Sequence, residues 1–253
     1  MVARKVRISA VRYANTYPFL FGLMESGLDK IADISTDHPA DCAKKLITDE
    51  VDIGLVPVAS LTKMKNYWII TDYCLGAYGK VETVLLLSNS PFEELTTIYL
   101  DYRSLSSITL VKILAKNAWK RKLEWKKTDD SFDFSQLENR EGVVLIGDQC
   151  IELSKQYKYK IDLAEEWSKF SGLPFAFACW VANKPIDPIF LEQFNKALAI
   201  GVNNIPKVVE RCSGDGIIRG ENLYKYLTEN MDFILDKNKR KAIMLFLDYV
   251  KQT

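Results

Sequence analysis

The sequence predicts an α/β protein, and three observations lead to this prediction. Apolar stretches of strand length alternate with helical patterns along most of the 253 residues. Some of these stretches, such as 51–58 and 142–148, are almost uninterruptedly apolar, which is typical of parallel strands covered on both faces. Polar residues follow several strands at the carboxyl ends, where open α/β sheets bind ligands. We therefore expect mostly parallel sheets with helices on both faces.

The elements follow one another in a regular order. Strand candidates share apolar and β-branched residues and cover 5–11, 33–36, 51–58, 68–70, 81–88, 98–100, 123–127, 142–148 and 172–182. Helix candidates have apolar residues at helical spacing and cover 19–24, 39–47, 104–114, 149–156, 165–170, 190–202, 205–212, 221–228 and 238–250. Residues 74–79 are expected to form a glycine-containing loop.

Composition permits a large core and disfavours several partners. Hydrophobic residues make up 48% of the chain, so it can bury on the order of three-quarters of its unfolded surface, as one domain or two lobes. The net charge of +1 argues against nucleic acid or an anionic membrane as the main partner. Apolar runs fall short of the ~20 residues that a membrane helix needs. We expect a small-molecule ligand.

The cysteines indicate a reducing compartment. The five cysteines lie far apart and form neither a CxxC pair nor a cluster with histidine. The first residues contain no apolar segment of the kind found in signal peptides. We therefore expect a cytoplasmic protein that holds neither a metal nor another cofactor, since a phosphate-binding loop is not recognisable either.

The junction between the strand at 98–100 and the following helix is the strongest candidate site. Ser104, Ser106 and Ser107 stand at the predicted start of the helix, where backbone N–H groups lack partners and the dipole is positive. Such a terminus can bind a carboxylate or phosphate, and Arg103 could add a bidentate grip. Simple helix capping explains one serine equally well.

Two further strand ends carry polar residues. Asn15 and Thr16 precede a helix whose first position suits Pro18, and Gly147 with Asp148 ends the strand at 142–148. A carboxylate there would repel an anionic ligand unless it were paired or protonated, so Asp148 is expected to orient backbone or bind a hydroxyl. His38, the single histidine, is expected to be a capping or surface residue.

A set of ordered motifs resembles one known family. The motifs are 13–18 (YANTYP), 51–57 (VDIGLVP), 79–84 (GKVETV), 101–107 (DYRSLSS), 146–148 (IGD), 162–163 (DL) with 166–167 (EW), and 172–178 (GLPFAFA) with Trp180. Together they resemble the chorismate dehydratase family of the futalosine route to menaquinone. The similarity runs from about residue 8 to residue 180, and the helical tail adds nothing to it.

The resemblance implies a periplasmic-binding-protein-like type II fold, in which two α/β lobes joined by a two-stranded hinge close on a ligand. One lobe would comprise residues 1–88 and 180–253, and the other residues 89–179. The chain would cross at 81–88 and return at 175–182, two apolar stretches that also have the pattern of strands.

The resemblance also implies an activity, namely dehydration of chorismate to 3-(1-carboxyvinyloxy)benzoate. The catalytic Asn and Ser positions of the family fall on Asn15 and Thr83, so this chain has Thr where Ser is usual. The hydroxyl is kept, and the extra methyl group restricts its rotamer. Without the resemblance, Thr83 has the pattern of an ordinary strand residue and Asn15 that of a helix cap.

Three other functions stay open on the sequence. The chain could be a non-catalytic small-anion binding protein of the same fold, or the sister enzyme of the pathway that acts on dehypoxanthine futalosine. A ligand-sensing regulatory domain is the third alternative, although an attached DNA-binding segment is not recognisable. The sister enzyme would need a clear general base.

Overall fold

The structure, a computed structural model, describes residues 4–129, 131–212, 214 and 216–252, and within them the strands form two sheets. The first sheet has the spatial order Asp232–Ile234 (β11), Trp68–Ala77 (β4), Phe175–Ala182 (β10), Ile53–Pro57 (β3), Val6–Val11 (β1) and Ala32–Asp37 (β2). The second sheet has the order Glu124–Lys127 (β7), Thr97–Leu100 (β6), Glu141–Ile146 (β8), Val84–Ser88 (β5) and Tyr159–Asp162 (β9).

Helices pack on both sheets. They are Tyr17–Glu25 (α1), Pro39–Ile47 (α2), Leu105–Ile113 (α3), Gln149–Leu153 (α4), Leu163–Ser171 (α5), Pro188–Val202 (α6), Ile205–Cys212 (α7), Gly220–Lys225 (α8) and Lys237–Lys251 (α9). α3 and α8 each continue into a π-helical turn, Leu114–Ala118 and Tyr226–Asn230. In the described part of the chain, every helix is too short or too polar to cross a membrane.

The predicted α/β class is confirmed, but the sheets are mixed rather than mostly parallel. β1 pairs in parallel with β2 and β3, and β6 pairs in parallel with β7 and β8. β10 instead runs antiparallel to β3 and β4, and β5 runs antiparallel to β8 and β9. The parallel neighbours are joined by helical crossovers, whereas β5 and β10 each follow a passage between the sheets and enter from the opposite end.

The chain passes between the sheets twice, close to the predicted crossing points. β5 belongs to the second sheet and β10 lies entirely in the first, so the passages are the connections 78–83 and 172–174. The division into lobes at 88/89 and 179/180 stays a prediction, and sheet membership favours boundaries a few residues earlier in both places.

The expected loop at 74–79 is wrong for most of its length, because residues 74–77 continue β4. Gly76 misled the prediction, since glycine usually weakens a strand. Here a Cβ atom at Gly76 would lie 2.8 Å from Cε of Lys239 and 2.9 Å from the carbonyl oxygen of Phe175. Glycine is needed at this position because the buried Lys239 side chain and the neighbouring strand approach the backbone.

Two residues from the ordered motifs hold the passages in place. The carboxylate of Asp162 accepts hydrogen bonds from the backbone N–H groups of Val81 and Glu82 in the first passage, at 2.9 and 2.7 Å. It also accepts those of Ala164 and Glu165, and thereby caps α5. In the second passage, the buried Trp167 donates its indole N–H to the carbonyl of Pro174, at 3.1 Å.

Candidate functional site

A cavity with about 490 Å³ of empty space, partly open to solvent, lies between the two sheets. Its lining includes six of the nine predicted site residues, namely Asn15, Thr83, Ser104, Ser106, Ser107 and Gly147. The other lining residues are mostly apolar, such as Val11, Leu75 and Phe177. The described residues lining this cavity thus offer hydroxyls, one side-chain amide and an apolar surface.

Asn15 reaches the cavity because the chain turns sharply at the carboxyl end of β1. A 3-10 turn, Ala14–Thr16, follows the strand and leads directly into α1, with Pro18 in the first turn of that helix. Thr16 is fully buried and does not line the cavity. Its hydroxyl donates to Oδ1 of Asn15 at 3.3 Å. The sequence predicts that Thr16 contacts a ligand, but in the structure Thr16 contacts the side chain of Asn15 instead.

Thr83 lies in the first passage, directly before β5, and only 2% of it is exposed. Its backbone carbonyl accepts the N–H of Gly147 at 2.9 Å, where β5 and β8 meet. Its hydroxyl forms a 2.9 Å hydrogen bond with the phenol of Tyr226. The interpretation of Thr83 as an ordinary strand residue is therefore wrong, because the residue stands outside the strand and faces the cavity.

Glu82 shows why the chain bends immediately before Thr83. Its φ angle is 63°, a left-handed conformation that costs energy for a residue with a side chain. The backbone N–H of Glu82 donates to Asp162, so this hydrogen bond helps to hold the unusual conformation. Asp162 is buried, and burial raises the pKa of its carboxyl, while the backbone donors oppose that rise.

The serines at the start of α3 are committed largely to the fold. Ser104 caps the helix by accepting the N–H of Ser107, and its hydroxyl donates to that of Ser107 at 2.9 Å. The hydroxyl of Ser106 donates to the carbonyl of Phe177 in β10 at 3.1 Å and accepts the N–H of Ala59, which follows β3, at 3.2 Å. These two bonds attach α3 to the first sheet. The capping interpretation is confirmed for Ser104, whereas the binding of a ligand by the three serines, which line the cavity, stays a prediction.

Arg103 does not line the cavity, and the predicted grip on a ligand is a grip on Asp101 instead. Its Nε and Nη2 atoms donate to the two carboxylate oxygens of Asp101, each at 2.7 Å. This hydrogen-bonded ion pair raises the pKa of Arg103. Asp101 is almost fully buried, so the nearby cation neutralises a carboxylate that would otherwise lie unpaired in the interior.

Gly147 lines the cavity in a conformation that favours glycine. Its φ angle is 74°, and a Cβ atom would lie 2.8 Å from Cε1 of Tyr13. This close approach brings the carboxyl end of β8 against the turn that carries Asn15. Tyr13, which also lines the cavity, thus forms part of the wall contributed by the first sheet.

Asp148 does not line the cavity, but it holds the turn before Asn15. Its two carboxylate oxygens accept the backbone N–H of Ala14 at 3.2 and 3.1 Å. Burial raises the pKa of Asp148 to about 6, and the hydrogen bond from Ala14 opposes this rise. The expectation that Asp148 orients backbone agrees with these contacts.

His38 occupies the N-cap position of α2, but its side chain makes no capping hydrogen bond. Its ring nitrogens lie 3.4 Å from the hydroxyl of Tyr13 and 3.3 Å from the guanidinium of Arg12. Burial and then the neighbouring cations lower the pKa of His38. Among the described residues, no group of three or more histidine, cysteine or acidic side chains could hold a metal ion.

Tyr226 is the residue beside the site that sequence reasoning missed. It comes from the π-helical turn after α8, far along the chain from Asn15 and Thr83, and its 3% exposure leaves only the interior as its environment. A tyrosine within an amphipathic helical pattern has no local feature that separates it from an ordinary core residue. Only the fold brings it to Thr83.

The menaquinone biosynthesis family matches this chain over residues 6–252. A chorismate dehydratase of Thermus thermophilus is 23% identical to it over 219 residues, which cover 79% of this chain and 78% of that protein.

Solved structures share the architecture at low sequence identity. A protein of Archaeoglobus fulgidus has a TM-score of 0.77 at 13% identity, with 100% of this chain and 98% of the other covered. A Candida albicans protein described as having the generic periplasmic-binding-protein fold has a TM-score of 0.65 at 12% identity, covering 98% and 90%. The periplasmic aliphatic sulphonate binding protein of Escherichia coli has a TM-score of 0.62 at 11% identity, covering 98% and 92%. These similarities establish the periplasmic-binding-protein-like fold.

Proposed function

Because the chain belongs to the menaquinone biosynthesis family, we propose that it is a lyase that dehydrates chorismate to 3-(1-carboxyvinyloxy)benzoate. The observation that carries the proposal is the single cavity that Asn15, Thr83 and the serine turn share between the two sheets. The Thermus thermophilus relative, named chorismate dehydratase, supports the same reaction. In this role the protein supplies the futalosine route to menaquinone, and we propose that it acts in the cytoplasm.

The reaction needs more positioning than driving force. Chorismate carries two carboxylates, a ring hydroxyl and an enolpyruvyl ether, and loss of the hydroxyl with a neighbouring ring proton makes the ring aromatic. The protein must therefore hold the substrate in one orientation and stabilise the departing groups. A cavity with mostly apolar walls and a few hydrogen-bond donors suits this task.

Hydrogen-bond donors on opposite walls suit the two ends of the substrate. We assign to the Asn15 amide a hydrogen bond to the departing hydroxyl or the ring carboxylate, and to Thr83 the placement of the proton in transit. The start of α3 at Ser104–Ser107 carries the positive end of the helix dipole, which favours a carboxylate. The hydroxyl of Ser107 accepts from Ser104, so its own hydrogen is available to a ligand.

The acceptor of the ring proton is proposed to be the substrate itself. Asn15, Thr83 and the serines are very weak bases, and Asp148 is directed to the backbone of Ala14. The enolpyruvyl carboxylate is a stronger base than these groups and travels with the substrate. Turnover of a chorismate analogue that lacks this carboxylate, measured by mass spectrometry, would disprove this assignment.

The proposed activity is tested by incubating the purified protein with chorismate and following the absorbance of the diene. We expect conversion to an aromatic spectrum, with a product whose mass is that of chorismate minus water. The control is the same protein after heat denaturation. An unchanged spectrum over many equivalents of substrate would reject the activity.

A non-catalytic anion-binding function is the second candidate, and the similarity to the sulphonate binding protein favours it. A binding protein would raise its melting temperature with chorismate and leave the spectrum unchanged. The two measurements, made on the same sample, therefore separate the lyase from the binding protein.

A further inference from the structure

Tyr226 is hydrogen-bonded to Thr83 and interacts with Asn15, the two residues that are proposed to act on the substrate. Its phenol oxygen lies 2.9 Å from Oγ1 of Thr83, and the side chain of Asn15 also interacts with this phenol. Asn15 lies in the turn after β1 of the first sheet, Thr83 in the passage between the sheets, and Tyr226 in the helical C-terminal region. One buried hydroxyl thus joins three distant parts of the chain beside one cavity.

The hydrogen atoms available to these groups give the bonds a direction. Oδ1 of Asn15 already accepts the hydroxyl of Thr16, so its NH₂ group is the part that can face the phenol and the cavity. The phenol has one hydrogen and two lone pairs, so it can accept from Asn15 and donate to Thr83. Thr83 then keeps its own hydrogen for a group in the cavity.

We propose that Tyr226 is a positioning residue that orients the Asn15 amide and the Thr83 hydroxyl so that both present hydrogens to an anionic substrate. This inference rests on the proposed function and extends it to a residue that does not line the cavity. The direction of the bonds matches a dianion, which needs donors around it and would be repelled by lone pairs.

The surroundings of Tyr226 keep its hydrogen in place. The residue is only 3% exposed, and burial raises the pKa of its phenol, with Thr83 and Asn15 opposing that rise. The phenol is therefore neutral at physiological pH and can donate. Its position in a π-helical turn agrees with this role, because such turns are rare and occur frequently at functional sites.

Tyr226→Phe removes the hydroxyl and keeps the ring. We expect kcat for chorismate to fall about 10- to 100-fold with KM within about threefold, because the donors lose their alignment while the cavity keeps its shape. Tyr157→Phe is the matched control, since Tyr157 is also buried and its hydroxyl donates to the carbonyl of Phe134, away from the cavity. It should lower the melting temperature similarly and leave kcat unchanged.

Two kinetic outcomes overturn the proposal. One is a Tyr226→Phe enzyme whose kcat stays within twofold of the wild-type value. The other is an equal loss of kcat in Tyr157→Phe, which would show that any lost buried tyrosine hydroxyl slows the enzyme through stability alone.

The side-chain amide signals of Asn15 in a ¹⁵N NMR spectrum give a readout that needs no turnover. The signals are identified by their loss in Asn15→Ala, and they should shift in Tyr226→Phe but not in Tyr157→Phe. If Tyr226→Phe fails to fold, Thr83→Val breaks the same hydrogen bond from its other end and should also shift them. Unshifted signals reject the role of Tyr226, whereas wild-type protein inert towards chorismate rejects the proposed function instead.

Discussion

The two walls of the cavity use their polar side chains in different ways. At the start of α3, Ser104 and Ser106 accept backbone N–H groups and Ser106 donates to a backbone carbonyl, although Ser104 also donates to the hydroxyl of Ser107; these bonds cap the helix and tie it to β10. On the opposite wall, Asn15 and Thr83 bond to other side chains, Thr16 and Tyr226. A hydroxyl bonded to backbone is fixed by the fold, whereas a side-chain network can be directed towards a ligand. On the proposed function, the serine wall would hold the cavity together and the Asn15 wall would act on the substrate.

Asn15→Ala should have the largest effect of the substitutions that test this comparison. We expect kcat for chorismate to fall about 10²- to 10³-fold, since the variant removes a donor aligned with a group whose charge develops in the reaction. Asn117→Ala is the matched control, because the amide of Asn117 donates to the carbonyl of Ile113 within its own helix. Wild-type turnover by Asn15→Ala would show that the Asn15 wall is not where the chemistry occurs.

Asp148→Asn tests the support of the Asn15 wall through pH. The folded-state pKa of Asp148 is raised to about 6, so its contribution to stability is full below about pH 4 and is lost as pH rises through about 6. Asparagine does not titrate, so the variant should gain up to about 3 kcal/mol relative to wild type between pH 4 and pH 7, the equivalent of about two pKa units. Urea unfolding of both proteins at the two pH values measures this difference. A wild-type-minus-variant difference that is independent of pH would refute the burial of this carboxylate.

Two substitutions of Thr83 test its hydroxyl and its methyl group separately. Thr83→Val keeps the shape and removes the hydroxyl, so kcat should fall about 10- to 100-fold. Thr83→Ser keeps the hydroxyl and removes the methyl group, and kcat should stay within about threefold of wild type. Steady-state kinetics of the two variants side by side decide the point, and equal rates would assign Thr83 to packing.

Ser106→Ala should have the smallest effect and a structural one. It leaves the N–H of Ala59 and the carbonyl of Phe177 without this partner, which should cost on the order of 1 kcal/mol of unfolding free energy. kcat should change less than threefold. Ser26→Ala, which removes a local bond to the carbonyl of Leu23, provides the control in the same denaturation assay. A large loss of kcat in Ser106→Ala would erase the distinction between the walls.

The sequence by itself determined the features that depend on neighbours along the chain. The alternation of apolar runs and helical patterns predicted the α/β class, and Ser104 was placed correctly at a helix start because a cap acts on N–H groups within three residues. Asn15 and Thr83 were singled out by the resemblance to a family and Gly147 by its position at a strand end, and all three line one cavity.

The tertiary structure decided the features that depend on residues distant in the chain. Three features result from contacts between remote segments: the antiparallel orientation of β5 and of β10 to their neighbours, the continuation of β4 through Gly76, and the position of Tyr226 beside Thr83. Arg103 forms an ion pair with its neighbour Asp101 and does not reach the cavity, because the buried carboxylate of Asp101 needs a cation beside it. Local patterns reflect propensity and burial, but only the packed fold determines which polar groups are already bonded and which remain to act on a substrate.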